Sequence, residues 1–314
     1  MLNRRHIRVK VMQTIYAFKG GESDDFSANQ KFLLFSIDNM YNLYLLIVSI
    51  LIEVQKRAES DIGKKQKKHL ATDEDKNPNR KFVNNELLKK LKENFNLQDD
   101  LERHQVTNWD LDQEYIDVLF KAIVASDLYK DYMQTRVSDF KEDKNFIIDI
   151  FKDVIAPNEK LYDYIEDKNL TWLDDLPTVN TTILKLLRKV KATSIDSHFT
   201  PKLYKDIEDK QFAINLFKKT LLNKTALNDE IALKTKNWDS DRIANVDYVL
   251  LQMAICELKN FSSIPVKVTI NEYLEIAKEY STPKSSIFIN GILDKLVKEY
   301  ESSDTLNKIG RGLM

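Results

Sequence analysis

Residues 264–297, IPVKVTINEYLEIAKEYSTPKSSIFINGILDKLV, read as two amphipathic helices joined by a short Ser/Thr/Pro/Lys loop. Ile270, Leu274, Ala277 and Tyr280 recur at helical spacing until Pro283 interrupts them; Phe288, Ile292, Leu296 and Tyr300 then resume it. Thr269-Ile270-Asn271-Glu272 has the form of a capping box. Asn290-Gly291 is a hairpin signal in strands. Helical spacing continues on both sides here, so Gly291 is read as a mid-helix glycine, at roughly 1 kcal/mol relative to Ala. That expense suggests something packing closely against it. No residue in the stretch is an evident nucleophile, metal ligand or phosphate-cradling glycine.

Working outward, the upstream helix carries Ile243, Val246, Val249, Leu250, Met253, Ala254 and Leu258 on one face. Asp239 is its expected cap, with Trp238 and Ile243 as a hydrophobic staple. At the other end of the chain, residues 3–18 form a helix with Ile7, Val11, Ile15 and Phe18 as its stripe and Asn3 as its N-cap. A longer helix is expected from about Asn29 to about Glu59. Its segment Tyr41–Ile52 holds only Asn42 and Ser49 as polar residues. That is short of the roughly 20 residues a membrane span needs, so a buried core helix is expected, and no membrane contact. Asp61–Lys81 reads as a lysine-rich solvated loop, with helices resuming at 85–95 and 112–133.

An internal repeat at an offset of 66 pairs Glu142-Asp143-Lys144-Asn145-Phe146 with Glu208-Asp209-Lys210-Gln211-Phe212. Ile148, Phe151, Leu161, Ile165 and Trp172 match Ile214, Phe217, Leu227, Ile231 and Trp238 in the same register. Each copy is read as a helix–helix–Trp–helix unit that stacks on its neighbours to share one core.

Composition limits the chemistry. The 314 residues are 43% hydrophobic and 31% charged, with 48 Lys+Arg against 49 Asp+Glu, so only local clustering speaks to partners. Six glycines and six prolines suit long helices. One cysteine, Cys256, excludes an intramolecular disulfide and fits a reducing compartment, hence a cytoplasmic protein. It lies beside an apolar face and is read as a buried structural thiol. His6, His69, His104 and His198 lack ligand spacing, and the glycines lack phosphate-loop spacing, so neither metal nor cofactor is expected, nor an enzyme.

The N-terminal cations are the exception. Arg4, Arg5, Arg8 and Lys10 precede the first acid, Glu22. Two arginines in a first helical turn oppose the macrodipole by about 0.3–1 kcal/mol each. An anion such as phosphate would relieve this, and Gln13 and Tyr16 further along can bond or stack on an unpaired base. Read as surface cations, the three arginines are replaceable by Ala without unfolding. Ser281, Thr282, Lys284, Ser285 and Ser286 place hydroxyls and a cation at a helix start, with Ser285 or Ser286 as a candidate cap.

Together, RRHIRVKVMQTIY (4–16) and DYVLLQMAICELKNFSSIPVKVTINEYLEIAKEYSTPKSSIFINGILDKL (247–296) resemble the transcription antitermination factor NusB family. The resemblance implies an all-α helical bundle with two helical subdomains, here with an enlarged, partly repeated region. It divides the chain into an N-terminal helical region, 1–205, a NusB-like domain, 206–300, and a tail, 301–314. It implies binding of single-stranded boxA-like RNA in ribosomal RNA leaders, a small-subunit ribosomal protein partner (NusE), and docking on RNA polymerase with other Nus factors. Carried over by position, the RNA face is Arg4, Arg5, Arg8, Gln13, Tyr16, Lys284, Ser285, Phe288 and Asn290, and the helix 247–258 with its neighbours is the protein-partner face. Family members are about half this long, so residues 20–205 are an enlargement. Pro283 and Lys284 stand where acids are frequent in the family, and Ile287 where a base is frequent. The competing readings are a protein-binding helical scaffold, suggested by the repeats, and a fused RNA methyltransferase, which the glycine spacing opposes.

Overall fold

Asn3 accepts the backbone N–H of His6 at 2.8 Å, and this cap opens the first helix, α1 (Arg4–Lys19). The computed structural model describes residues 1–19, 25–67, 69–70, 72–235, 243–306 and 308. The elements among those residues are helices, with no strand. The helix α2 (Phe26–Gln66) is followed by α3 (Asp73–Lys76), α4 (Glu86–Lys92), α5 (Phe95–Arg103), α6 (Asn108–Leu111), α7 (Gln113–Ala125) and α8 (Asp127–Tyr132). Next come α9 (Phe140–Ile150), α10 (Glu159–Lys168) and α11 (Leu176–Lys189). The chain continues as α12 (Ile207–Leu222), α13 (Lys224–Lys234), α14 (Asn245–Asn260), α15 (Val266–Tyr280) and α16 (Ser285–Ser302).

The chain divides into two compact units. One contains Asp38–Leu203; the other joins Leu2–Ile37 to Tyr204–Met314. The basic first helix therefore belongs with the C-terminal helices, whereas the resemblance grouped it with the enlargement. The α2 helix contributes Phe26–Ile37 to one unit and its remainder to the other.

In the 38–203 unit the apolar stretch of α2 is the core. Residues 43–52 are all buried. By length and composition α2 is apolar enough to cross a membrane, but 78% of its most apolar window is buried within the protein, as in a core helix. Trp109 Nε1 donates to Leu46 O (3.2 Å) and Ser49 Oγ (2.9 Å), and Trp172 Nε1 to Asn39 O (3.0 Å). Two indoles thus bury their rings against one helix while satisfying their donors on it. The expected solvated loop at 61–81 is shorter than the charges suggested. The α2 helix runs on to Gln66, Thr72 and Asp75 form a reciprocal capping box on α3, and Lys81 is buried. Its Nζ donates to Glu142 Oε1 (2.5 Å) and Thr135 Oγ1 (2.7 Å), so pairing removes the obstacle to burying it.

The two repeat copies bury the same positions. Asp143, Phe146, Phe151, Leu161 and Ile165 are buried, and so are Asp209, Phe212, Phe217, Leu227 and Ile231. The first copy interrupts its helix with a π-turn at Phe151–Ile155, whereas α12 runs unbroken. Trp238 and the expected Asp239 cap with its staple lie outside the described residues.

The second unit is organised around α14. Residues Val249–Leu258 are buried on every side. Within 247–258 only Tyr248 is part-exposed, so α14 is a central helix, and the expected partner face on this helix and its neighbours is corrected to the neighbours. The expected capping box at 269–272 is corrected as well. The α15 helix starts four residues earlier, after Pro265, whose missing N–H is no loss at a helix start. Thr269 and Glu272 are thereby released for other bonds.

Candidate nucleic-acid interface

Helix α1 packs on α12, α14 and α15. Its apolar stripe (Ile7, Val11 and Ile15) is buried, and Phe18 meets Phe32 edge-on at 5.7 Å. The arginines follow from that placement. Arg8, four residues after Arg4, faces inward and is 2% exposed. Its Nε and Nη2 grip Glu257 at 2.8 and 2.7 Å, and its Nη1 is 3.7 Å from Glu272. Glu257, itself fully buried, also accepts the hydroxyls of Thr269 (2.8 Å) and Tyr273 (3.2 Å). The guanidinium lies 5.1 Å from the Phe212 ring centroid and 5.8 Å from that of Tyr273. Burial opposes its charge most strongly, but the two-pronged bond and the charge of Glu257 outweigh it, holding Arg8 above the ordinary arginine range. Burial also raises the Tyr273 phenol well above its usual value, with the Glu257 charge adding to it.

Arg4 and Arg5 differ. Arg4 Nε donates to Asp209 Oδ1 at 3.0 Å, and its Nη2 is 3.9 Å from Glu208. Arg5 donates from Nε and Nη2 to the two oxygens of Glu272, each at 2.9 Å. Their side chains remain 39% and 43% exposed. The bond to Glu272 raises the Arg5 value, burial opposes it, and the charges of Glu272, Glu275 and Glu279 reinforce it. With Asn3, Arg8 and Glu272, the two arginines line a groove of about 380 Å3, whose far wall is Ser263, Ile264, Pro265 and Val268. Carboxylates from α12 and α15, more than 200 residues away in sequence, answer the macrodipole conflict at the start of α1.

Tyr16 is 46% exposed and Gln13 is half-buried. Eleven residues separate Arg5 from Tyr16, which returns to within about 20° of the same face roughly 16 Å along the helix.

The α16 residues form a separate group. The groove is not lined by Lys284, Ser285, Phe288 or Asn290. Lys284 occupies the N-cap position without a side-chain cap bond, so neither Ser285 nor Ser286 is the cap. Ser285 is 2% exposed, and its hydroxyl donates to Asp247 Oδ2 at 2.7 Å, beside that of Ser281 to Oδ1 at 2.6 Å. Asp247 stands ten residues before Glu257, about 15 Å along α14. Lys284 is exposed, Phe288 is half-buried, and half-buried Asn290 donates to Asp294 at 3.1 Å. Gly291 is exposed, and a Cβ built on it meets nothing within 4 Å, so no described part of the chain packs there.

Cys256 is buried, and burial pushes its thiol up to about 11. Among the described residues, no cluster of three or more His, Cys, Asp or Glu could hold a metal ion.

Sequence reasoning missed Glu257, Glu272 and Asp209 as partners of the arginines. Glu257 carried the clearest signal, an acid inside the apolar run Val249–Leu258.

The NusB family model matches residues 181–298, which covers α12–α15 and most of α16 but not α1. The chain is 41% identical over 112 residues to a transcription antitermination protein NusB of Salinibacter ruber, a match spanning 36% of this chain and 70% of that protein. It is 39% identical over 129 residues to the NusB of Chloroherpeton thalassium, spanning 41% of this chain and 61% of that one. To the NusB of Dictyoglomus turgidum it is 38% identical over 103 residues, 33% and 69% of the respective lengths. The solved structure of T. maritima NusB aligns at 32% identity over 38% of this chain and 82% of its own, with a TM-score of 0.29. On these matches the chain belongs to the NusB family of transcription antitermination proteins.

Proposed function

We propose that the protein binds single-stranded boxA-like RNA from ribosomal RNA leaders through the exposed side of α1. In this reading Arg4 and Arg5 take phosphates in the groove, and Gln13 and Tyr16 contact bases about three turns further on. Lys284, Phe288 and Asn290 extend the surface at the start of α16. The observation that carries the reading is the groove itself: two half-exposed arginines share one concave surface, and one of them, Arg5, lies on the same helix face as the exposed Tyr16. Phosphate contacts supply affinity, and stacking on the aromatic ring supplies preference for unpaired strands.

Arg8 and Ser285 take a different role from the one the resemblance gave them. Both are buried, so they support the surface rather than touch the strand: Arg8 fixes α1 against α14 and α15, and Ser285 fixes the start of α16 to Asp247. Replacing all three arginines together therefore tests the fold as much as the binding.

The protein acts without catalysis, as a transcription antitermination factor of its family. The partners proposed are a small-subunit ribosomal protein (NusE), RNA polymerase and the other Nus factors, in the cytoplasm. Because α14 is enclosed, the NusE surface is assigned to the exposed sides of its neighbours.

The test is fluorescence anisotropy of a labelled boxA-like single strand, with and without the ribosomal protein. Arg4→Ala/Arg5→Ala is expected to weaken binding at low salt and to flatten its salt dependence, because fewer counterions are released. Tyr16→Ala is expected to lose about 1–3 kcal/mol, the contribution of one stacked base. Undiminished affinity in both variants, with unchanged melting temperatures, would place the RNA elsewhere. Capture of the ribosomal protein with no RNA affinity would favour the scaffold.

A further inference from the structure

We infer that Glu272 is a built-in competitor for the Arg5 fork, occupying in the free protein the position that a ligand phosphate must take. The identity of the ligand rests on the RNA reading; the competition rests on geometry. Among the described residues lining the groove, Glu272 is the one carboxylate beside three arginines and Asn3. It takes both Nε and Nη2 of Arg5, each at 2.9 Å, and these are the N–H groups that a phosphate accepts in a two-pronged contact. Its Oε2 also stands 3.7 Å from Arg8 Nη1. One carboxylate oxygen thus sits between two guanidinium groups, where a phosphate oxygen would sit.

The two pairs differ in their freedom to open. Arg8 and Glu257 are 2% and 0% exposed, and Glu257 holds two hydroxyls as well. Arg5 and Glu272 are 43% and 22% exposed, at the groove mouth. The inner pair is a fixture; the outer pair exchanges. Glu272 is also the last residue of the sequence motif read as a capping box, a role the helix start at Val266 leaves it free of.

Replacing Glu272 by Gln keeps the shape, frees the fork and removes a negative charge facing the incoming phosphate. An exposed pair of this kind shifts an equilibrium by about 1.5- to 5-fold. With the repulsion removed as well, Glu272→Gln is expected to bind the single strand about fivefold more tightly than the parent protein. Glu275→Gln removes a charge from the same helix without touching Arg5, and its gain is expected to stay under about twofold. In an Arg5→Ala background the Glu272→Gln gain is expected to shrink to the repulsion share, under about twofold, the mark of a coupled pair.

The experiment is strand binding by anisotropy with the full chain and these variants, beside a titration with inorganic phosphate read at the Arg5 Nε–Hε resonance. In the phosphate arm the parent protein is expected to need about five times more phosphate than Glu272→Gln. Equal affinities for parent and Glu272→Gln in both arms overturn the competition, as does a gain that Arg5→Ala leaves undiminished or that Glu275→Gln matches. If no variant binds the strand while the phosphate order holds, the RNA reading fails and the competition stands. If Glu272→Gln melts early, Glu272→Asp, which shortens the reach to the fork, is measured in its place. It is expected to change both arms in the same direction, and a loss of affinity there overturns the inference.

Discussion

Glu257→Leu tests the inner ion pair most directly. The substitution leaves a guanidinium 2% exposed with its two-pronged partner gone and Glu272 at 3.7 Å as the nearest remaining carboxylate. Removing one partner of a buried pair costs about 3–5 kcal/mol, because the other charge stays buried without compensation. Thr269 and Tyr273 lose their acceptor in the same step. Arg8→Met is milder, since Glu257 keeps both hydroxyl donors and the methionine fills the space between the Phe212 and Tyr273 rings. The double variant Arg8→Met/Glu257→Leu exchanges the pair for apolar packing of similar volume but leaves the Thr269 and Tyr273 hydroxyls without their acceptor, so it is expected to be less destabilised than the sum of the singles rather than equal to the parent. The assay is thiol labelling at Cys256, the next residue to Glu257 and the chain's one cysteine. It reports opening of this unit alone, which matters because a chain of two units need not unfold in one step. Glu257→Leu should label faster by about two to nearly four powers of ten, with the double variant accelerated by less than the product of the two singles. Less than tenfold acceleration by Glu257→Leu, or a double variant as unstable as the sum of the singles, would refute the reasoning.

Other outcomes follow from the same geometry. Because burial pushes the Cys256 thiol up to about 11, the folded protein should leave a disulfide reagent at pH 8 unconsumed, while unfolded chain reacts fully. Tyr41, whose hydroxyl donates to Asp100 at 2.5 Å, is pushed up to about 12 by burial, partly offset by Arg103. Folding thus favours its neutral form: the contribution is complete below about pH 10 and disappears as pH rises through about 12. Absorbance at 295 nm should show one fewer late-titrating phenol in Tyr41→Phe. Gly291 lies mid-helix with open space where a Cβ would stand, so Gly291→Ala should raise unfolding free energy by about 0.5–1 kcal/mol in urea denaturation. If the same variant weakens binding of the ribosomal protein, close approach by that partner accounts for the glycine.

Helix periodicity and apolar stripes were legible along most of the chain, because they are local. Asn3 caps α1 as its side chain and spacing required, and the 264–297 pair forms two helices broken near Pro283. The apolar stretch of α2 is a core helix, as its length demanded. What could not be read was which polar residues find each other. The solvated loop at 61–81 was inferred from lysine content, yet Lys81 is buried because Glu142 and Thr135 receive it. Thr269 and Glu272 have the spacing of a capping box, yet a helix start four residues upstream sends one to Glu257 and the other to Arg5.

The arginines show the same limit most sharply. Two cations in a first helical turn are unfavourable, and from the sequence alone an external anion such as phosphate answers the conflict. The anions turn out to be the chain's own, Asp209, Glu272 and Glu257, carried by three helices that pack around α1. Burial then separates the three arginines by role. Arg8 is enclosed and holds α1 in place, while Arg4 and Arg5 keep more than a third of their surfaces at a groove. A surface that binds a polyanion needs cations that are both held in position and able to change partner. Carboxylates at partly exposed distance meet both needs, since such pairs are weak enough to exchange. The buried pair beneath them is not, so the first helix keeps its place while its outer arginines trade one anion for another.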